Sequence, residues 1–234
     1  MRLAVMQPYF LPYLGYFQLL ASVDRFVVLD DVNYIKRGWV NRNRILVDGR
    51  PNTFSLPVKK ASQNKMINEL ELGQDYEDWA RRFLKTIKHA YKKAPMYNNV
   101  MPLIEDMLAC KISGLSTFLV HSLKRVCSYL GISTEIVETS SVYPRKGLSG
   151  SDRVLDICIQ NCAETYVNLP GGRDLYDCAT FRRKGISLEF LQPKLRSYPQ
   201  GTGDFVSGLS VLDAMMCTSS FQELLVYETE NVQC

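Results

Sequence analysis

Leu3-Ala4-Val5-Met6-Gln7-Pro8-Tyr9-Phe10-Leu11-Pro12-Tyr13-Leu14-Gly15-Tyr16-Phe17 begins as an apolar run of strand length, breaks at a Pro-rich turn, and continues with the pattern of a helix start. Phe26-Val27-Val28-Leu29-Asp30-Asp31 repeats the first part of that pattern, an apolar run followed abruptly by polar residues. Short apolar runs bounded by turn signals fit strands buried on both faces. Between the two runs, Leu14, Phe17 and Ala21 fall on one face of a helix over residues 14–21. Strand, helix and strand with a right-handed crossover make a βαβ unit. Open α/β sheets place their ligands beyond the carboxyl ends of such strands. Gln7 and the Asp30-Asp31 pair stand at two of those ends and are therefore candidate functional residues.

Outward from this unit, Ile45-Leu46-Val47 and Thr53 to Val58 flank Asp48-Gly49, which predicts a hairpin. Trp79, Phe83, Ile87 and Tyr91 recur every four residues, so 75–91 is an amphipathic helix. Pro95 opens a second helix to about Leu108, and Leu115 to Leu130 forms a third, closed by Gly131. The α/β texture then returns: a strand at 135–138, a helix at 150–161, a strand at 164–168, a short helix near 177–183 and a strand at 187–190. Helices at 209–217 and near 220–226 close the chain. The expected fold is α/β and Rossmann-like, one domain over residues 1–234 with a mostly parallel sheet and a helical insertion at roughly 75–130.

The 234 residues carry a net charge of +4, with no basic stripe of the kind that nucleic-acid binding needs. No apolar stretch approaches membrane-spanning length, and no cleavable leader is visible, so the reading is a soluble, cytoplasmic protein. Seven cysteines, an odd number, favour reduced thiols over a disulfide framework. Cys158 and Cys162 lie one helical turn apart but lack nearby ligand partners, so they read as structural thiols, not a metal site. No particular cofactor is indicated.

Several constellations could carry chemistry. Tyr13-Leu14-Gly15-Tyr16 has the spacing of the His-x-Gly-His turn of nucleotidyltransferases, with tyrosines in place of both histidines. A tyrosine can donate to a phosphate but cannot become cationic. Asp30 or Asp31 can act as base or substrate anchor, Arg42 can grip an anion bidentately, and Trp39 and Tyr34 can stack on a ring. Asn41, Asn43 and Lys36 add polar groups to the same loop. After the strand at 164–168, Asn168-Leu169-Pro170-Gly171-Gly172-Arg173-Asp174 offers backbone N–H groups to an anion. Ser149 or Ser151 reads first as a helix N-cap beside Arg153, with a phosphate-binding loop as the alternative. Asp213, inside an apolar helix, calls for a buried partner, an arginine from another loop being the expectation.

Taken together these segments resemble the WbqC-like family of bacterial proteins over nearly the whole chain. The resemblance is carried by Gln7-Pro8 with Phe10 to Phe17, by Asp30-Asp31-Val32 with Lys36, Trp39 and Asn41 to Ile45, and by Lys92 to Tyr97. It continues in Pro170 to Asp174, Phe181 with Gly185-Ile186, Tyr198-Pro199-Gln200 and Leu209 to Asp213. Where family members often carry a histidine before the Gln-Pro pair, this chain has Met6. The resemblance implies a role in surface-polysaccharide (O-antigen) biosynthesis, as a transferase moving an acyl or aminoacyl group onto a nucleotide-linked amino sugar. In that reading the Gln7–Tyr16 turn, with Pro8, Tyr13 and Gly15, and the 168–174 turn, with Gly171, Gly172 and Arg173, hold phosphates. The alternatives are an ATP-dependent adenylating or ligase-like enzyme and a non-catalytic assembly factor.

Overall fold

The computed structural model describes residues 1–201 and 203–231. Six strands form the main sheet: β1 (Arg2–Met6), β2 (Arg25–Val28), β5 (Glu135–Val137), β6 (Thr165–Asn168), β7 (Ser187–Pro193) and β8 (Tyr227–Asn231). Their spatial order is β5-β2-β1-β6-β7-β8. Counted in chain order this is 3-2-1-4-5-6, the strand order of the Rossmann fold. All pairings are parallel except β7 with β8. The chain leaves β1 toward one edge of the sheet and β6 toward the other. Their carboxyl ends, Met6-Gln7 and Asn168-Leu169, therefore flank the point where the direction of winding reverses.

Alternation along the strands divides the core in two. Leu3, Val5, Val27, Tyr166, Leu188 and Phe190 pack against α5 (Gly150–Gln160) and α6 (Cys178–Arg183) on one face. Ala4, Phe26, Val28, Val167 and Leu191 face the other side, against α1 (Leu14–Ala21), α4 (Leu115–Leu130) and α7 (Val211–Cys217). Both faces are covered, as parallel sheets require.

Between β2 and β5 the chain inserts a hairpin, β3 (Arg42–Val47) and β4 (Arg50–Ser55), and then α2 (Tyr76–Tyr91), α3 (Tyr97–Leu108) and α4. The hairpin turns through Asp48 (φ 50°) and Gly49 (φ 74°), the two positive values of a tight primed turn. The insertion is fastened to the exit of β1 by Phe10, which is fully buried and touches the rings of Phe54, Trp79, Phe83 and Phe118. Truncating such a side chain costs about 3–5 kcal/mol, so Phe10 ties the first turn of the fold to the helical layer.

Several boundaries differ from the sequence expectation, three of them at polar segments or the chain's end. β3 begins at Arg42, not Ile45, and its ladder runs from Arg42↔Ser55 to Val47↔Arg50. Arg42-Asn43-Arg44 lacks an apolar alternation, yet Asn43 and Ile45 are buried while Arg42 and Arg44 face outward. β8, Tyr-Glu-Thr-Glu-Asn, occupies the place expected to follow the last helix as plain chain. It is an edge strand, where charged residues discourage further pairing and hide the strand from a hydrophobicity reading. The last helix, α8, is correspondingly short (Phe221–Leu224).

Candidate functional site

A cleft of about 620 Å³ opens at the winding reversal. Gln7 from the exit of β1, Leu29 and Asn33 from beyond β2, and Asp174 and Tyr176 from beyond β6 form its walls. Arg145 and the start of α5, Ser149-Gly150-Ser151, complete it. Ser149 occupies the N-cap position in an extended conformation but makes no side-chain cap, so the first-turn N–H groups of an 11-residue helix are left without that internal acceptor. The N-terminus of such a helix favours anions through its free N–H groups and its dipole. The preceding loop carries positive φ at Lys146 (50°), Gly147 (74°) and Gly150 (56°), and Gly150 takes a left-handed value that a side chain would strain.

Arg153 builds the loop that supplies Arg145. Its side chain is 2% exposed, and its Nη2 donates toward Asp31 Oδ2 at 2.8 Å and the carbonyls of Ser140 at 2.8 Å and Tyr143 at 2.9 Å. Arg145, two residues on, reaches the Leu148 carbonyl with Nε and the Met66 sulfur with Nη1. Among the described residues Arg145 makes no ion pair. The cleft thus holds a guanidinium with no carboxylate on it, next to an uncapped helix start.

The acidic pair is placed differently from its sequence expectation. Both residues lie past the end of β2, and both turn to Ser140. Asp30 is 2% exposed; it accepts from Ser116 Oγ at 2.7 Å, Thr139 Oγ1 at 2.7 Å and the Ser140 backbone N–H at 3.2 Å. The single Ser140 hydroxyl proton goes to Asp31 Oδ1 at 2.5 Å, while the Ser140 oxygen accepts from the Asp30 and Asp31 N–H groups. Asp30 therefore joins the start of α4 to the segment after β5, and Asp31 holds Arg153. Both carboxylates are buried and engaged, and neither lines the cleft.

The turn with histidine-like spacing also faces inward. Tyr16 is fully buried and its hydroxyl donates to the Gln7 carbonyl at 2.8 Å, with burial raising its pKa well above the ordinary value. Gly15 lies under the Tyr13 ring; a Cβ there would sit 2.4 Å from that ring. Burial, and then the neighbouring Tyr9, push the Tyr13 hydroxyl up to about 12. Pro8 is buried. Gln7 is the residue of this turn that reaches the cleft.

In the basic loop, Tyr34 and Asn41 are buried together: the Tyr34 hydroxyl donates to Asn41 Oδ1 at 2.7 Å, and Asn41 Nδ2 donates to the Leu56 carbonyl at 2.7 Å. Asn43 Nδ2 donates to the Leu11 carbonyl at 2.6 Å. These three hold the hairpin to the body. Arg42 lies beside Trp39, which is 47% exposed, and Lys36 is exposed.

After β6, Asn168 Oδ1 accepts from the Leu169 N–H at 2.7 Å, and a Cβ on Gly172 would meet the Asn168 amide at 2.7 Å, so Gly172 is needed for that approach. Gly171 is exposed with open space around it. Arg173 turns away from the cleft to pair with Glu230 at 2.6 Å, over the Phe190 ring. The same segment delivers Asp174 and Tyr176 to the cleft instead.

The sequence profile of the WbqC-like protein family matches residues 7–223, which takes in Gln7, the start of α5 and the cleft residues Asp174, Leu175 and Tyr176. The chain belongs to the WbqC-like protein family. It is 30% identical over 217 residues to the uncharacterized protein Rv1507c of Mycobacterium tuberculosis (strain ATCC 25618 / H37Rv), covering 92% of each chain. No solved structure matches it. Two stretches that carry the WbqC-like resemblance, Tyr198 to Gln200 and Leu209 to Asp213, meet at one buried carboxylate. Asp213 is fully buried and accepts from the Tyr91 hydroxyl at 2.6 Å, the Tyr198 hydroxyl at 2.8 Å and Gln200 Nε2 at 2.7 Å. Its partners are thus neutral donors, not the arginine expected. Among the described residues no helix is long and apolar enough to cross a membrane.

Sequence reasoning passed over Arg145, gave Asn33, Asp174 and Tyr176 no role of their own although they lie in stretches it singled out, and rated the Ser149–Ser151 segment as capping first. The missing side-chain cap is the deciding fact, and it has no signature in the residue types.

Proposed function

We propose that this protein is a transferase of surface-polysaccharide biosynthesis that binds a nucleotide-linked amino sugar in the cleft at the winding reversal and moves an acyl or aminoacyl group onto the sugar nitrogen. The observation that supports it most is the uncapped N-terminus of α5 beside the unpaired Arg145, which together suit a diphosphate. Gln7 and Asn33 supply hydrogen bonds to the sugar or base, and Tyr176 an aromatic wall. In the transfer the sugar amine attacks the donor carbonyl, an amide bond forms, the leaving group departs with its electron pair, and the amine gives up a proton. Asp174 brings an exposed carboxylate to the cleft and takes the base role that the engaged Asp30 and Asp31 do not fill. The adenylating alternative is disfavoured by the inward-facing Tyr16 and the covered Gly15.

Calorimetric titration with uridine- and guanosine-diphosphate amino sugars tests the reading. Binding of at least one, weakened about tenfold or more by Arg145→Ala, is expected from loss of a charge-assisted contact. A folded protein that gives no heat with any of them overturns it. ATP–pyrophosphate exchange in the absence of such binding would point to the adenylating chemistry instead.

A further inference from the structure

Arg42 and Arg44 stand two residues apart on β3, so their side chains leave the same face of the strand. Each guanidinium carbon lies 5.8 Å from the centre of the Trp39 ring. Among the described residues the Nε of each is buried without a hydrogen-bond partner, a state that Arg153 shares, but unlike Arg153 neither guanidinium makes a hydrogen bond through its other nitrogens. Among the described residues neither arginine forms an ion pair. Two like charges held side by side repel, and buried donors without acceptors are unfavourable. A cation–π contact with one shared ring offsets only part of this. The ring itself is half open to solvent although large aromatic surfaces are usually covered.

The strand is also held in a defined place. The Phe10 N–H donates to the Val40 carbonyl at 2.9 Å, Asn43 donates to Leu11, and the Ser210 N–H donates to the Arg44 carbonyl at 2.9 Å. These bonds hang the arginine pair on the turn that leaves β1, at the same carboxyl edge of the sheet as Gln7. The pair is cationic, unneutralised among the described residues and next to an exposed planar ring.

We propose that Arg42, Arg44 and Trp39 form a second binding subsite for a phosphate-bearing substrate, the two guanidinium groups holding the phosphoryl oxygens and the indole stacking on a ring of the same molecule. This deepens the transferase reading and rests on it: the cleft takes the sugar nucleotide, and a transferase needs a place for its other substrate. The phosphate can belong to a nucleotide or be free, and the two sources differ in whether a ring accompanies it.

The chain has two tryptophans, so Trp79→Phe leaves Trp39 as the sole indole reporter. In the Trp79→Phe, Arg145→Ala protein, with folding checked by circular dichroism, Trp39 fluorescence is followed during titration with inorganic pyrophosphate and with adenosine diphosphate. Both should change it, the nucleotide at about tenfold lower concentration, and Arg42→Ala with Arg44→Ala should weaken both about tenfold or more. Equal midpoints for the two ligands overturn the stacking role and with it the proposal as stated. An unchanged signal, or one indifferent to the double arginine substitution, also overturns it. If Trp79→Phe does not fold, calorimetry on the wild-type tryptophans with and without the arginine substitutions reads the same affinities. A Trp39 response alongside complete failure of sugar nucleotides to bind the unsubstituted protein would leave this subsite standing and remove the transferase reading.

Discussion

Arg153 and the pair Arg42–Arg44 are the same side chain in opposite circumstances. Arg153 is buried and answered at its terminal nitrogens, where a carboxylate and backbone carbonyls take its Nη groups, although its Nε is as unpartnered among the described residues as those of Arg42 and Arg44. Arg42 and Arg44 are partly buried and unanswered, sharing one aromatic ring and no acid among the described residues. A buried charge that the chain neutralises itself is part of the fold. A charge that it positions and leaves open is available to a ligand. The cleft repeats the contrast at shorter range, since Arg153 is consumed in building the loop that presents an unpaired Arg145.

Breaking the internal pair should give the largest effect. Asp31→Ala leaves Arg153 charged and buried, and urea unfolding should record a loss of about 3–5 kcal/mol. An unchanged midpoint would mean that Arg153 finds water or another acceptor, and the contrast would fail. Next in size is Asp213→Leu, which strands two tyrosine hydroxyls and leaves Gln200 Nε2 only the Val206 carbonyl among its strong acceptors; a loss of about 1–3 kcal/mol is expected. Limited proteolysis should then cut the 198–209 segment faster than in the parent protein, because Tyr198 and Gln200 lose their anchor.

Alkaline pH tests the other side of the contrast, the neutral groups that the fold buries. Burial pushes the Tyr13 hydroxyl from 10 up to about 12, and burial followed by the Asp213 charge pushes the Cys217 thiol from 9 up to about 12. The folded state therefore holds these protons over a range where the unfolded chain releases them. Their stabilising contribution is complete below about pH 9 and is lost as pH rises toward 12. Stability measured against pH should be level near neutrality and fall through that window; a rise there would contradict the placement of both groups. Thiol labelling at pH 8 should likewise spare Cys217 and Cys127, itself raised to about 12 by burial, while the exposed Cys162 reacts first.

The smallest stability change belongs to the open arginines. Arg42→Ala and Arg44→Ala should lower unfolding free energy by no more than about 0.5 kcal/mol, the scale of surface substitutions, since relief of the unpaired donors offsets the lost contact with Trp39. A large loss would show that the pair has an internal structural role, and the difference from Arg153 would disappear.

Much of the architecture was legible in the chain. The apolar runs at 3–5 and 26–29, the four-residue stripe from Trp79 to Tyr91 and the Asp48-Gly49 turn all became the elements they announce. What escaped was polar secondary structure. Arg42-Asn43-Arg44 and Tyr227 to Asn231 are strands whose hydrophobic pattern is absent, because one lies on a hairpin facing solvent and the other at a sheet edge. The site was legible only in part. Gln7 reaches the cleft, but Asp30, Asp31, Gly15 and Tyr16 carry conspicuous residue types and turn inward.

Residue order alone set the alternation of buried strands and amphipathic helices, since burial periodicity is written within windows of ten or so neighbours. The three-dimensional arrangement decided which charges are satisfied. Asp31 and Arg153 are 122 residues apart, as are Tyr91 and Asp213, and their hydrogen bonds exist only once the sheet has brought the distant segments together. Local sequence carries no record of a partner that arrives from the other half of the fold, so the division between structural and ligand-ready polar groups belongs to the folded state.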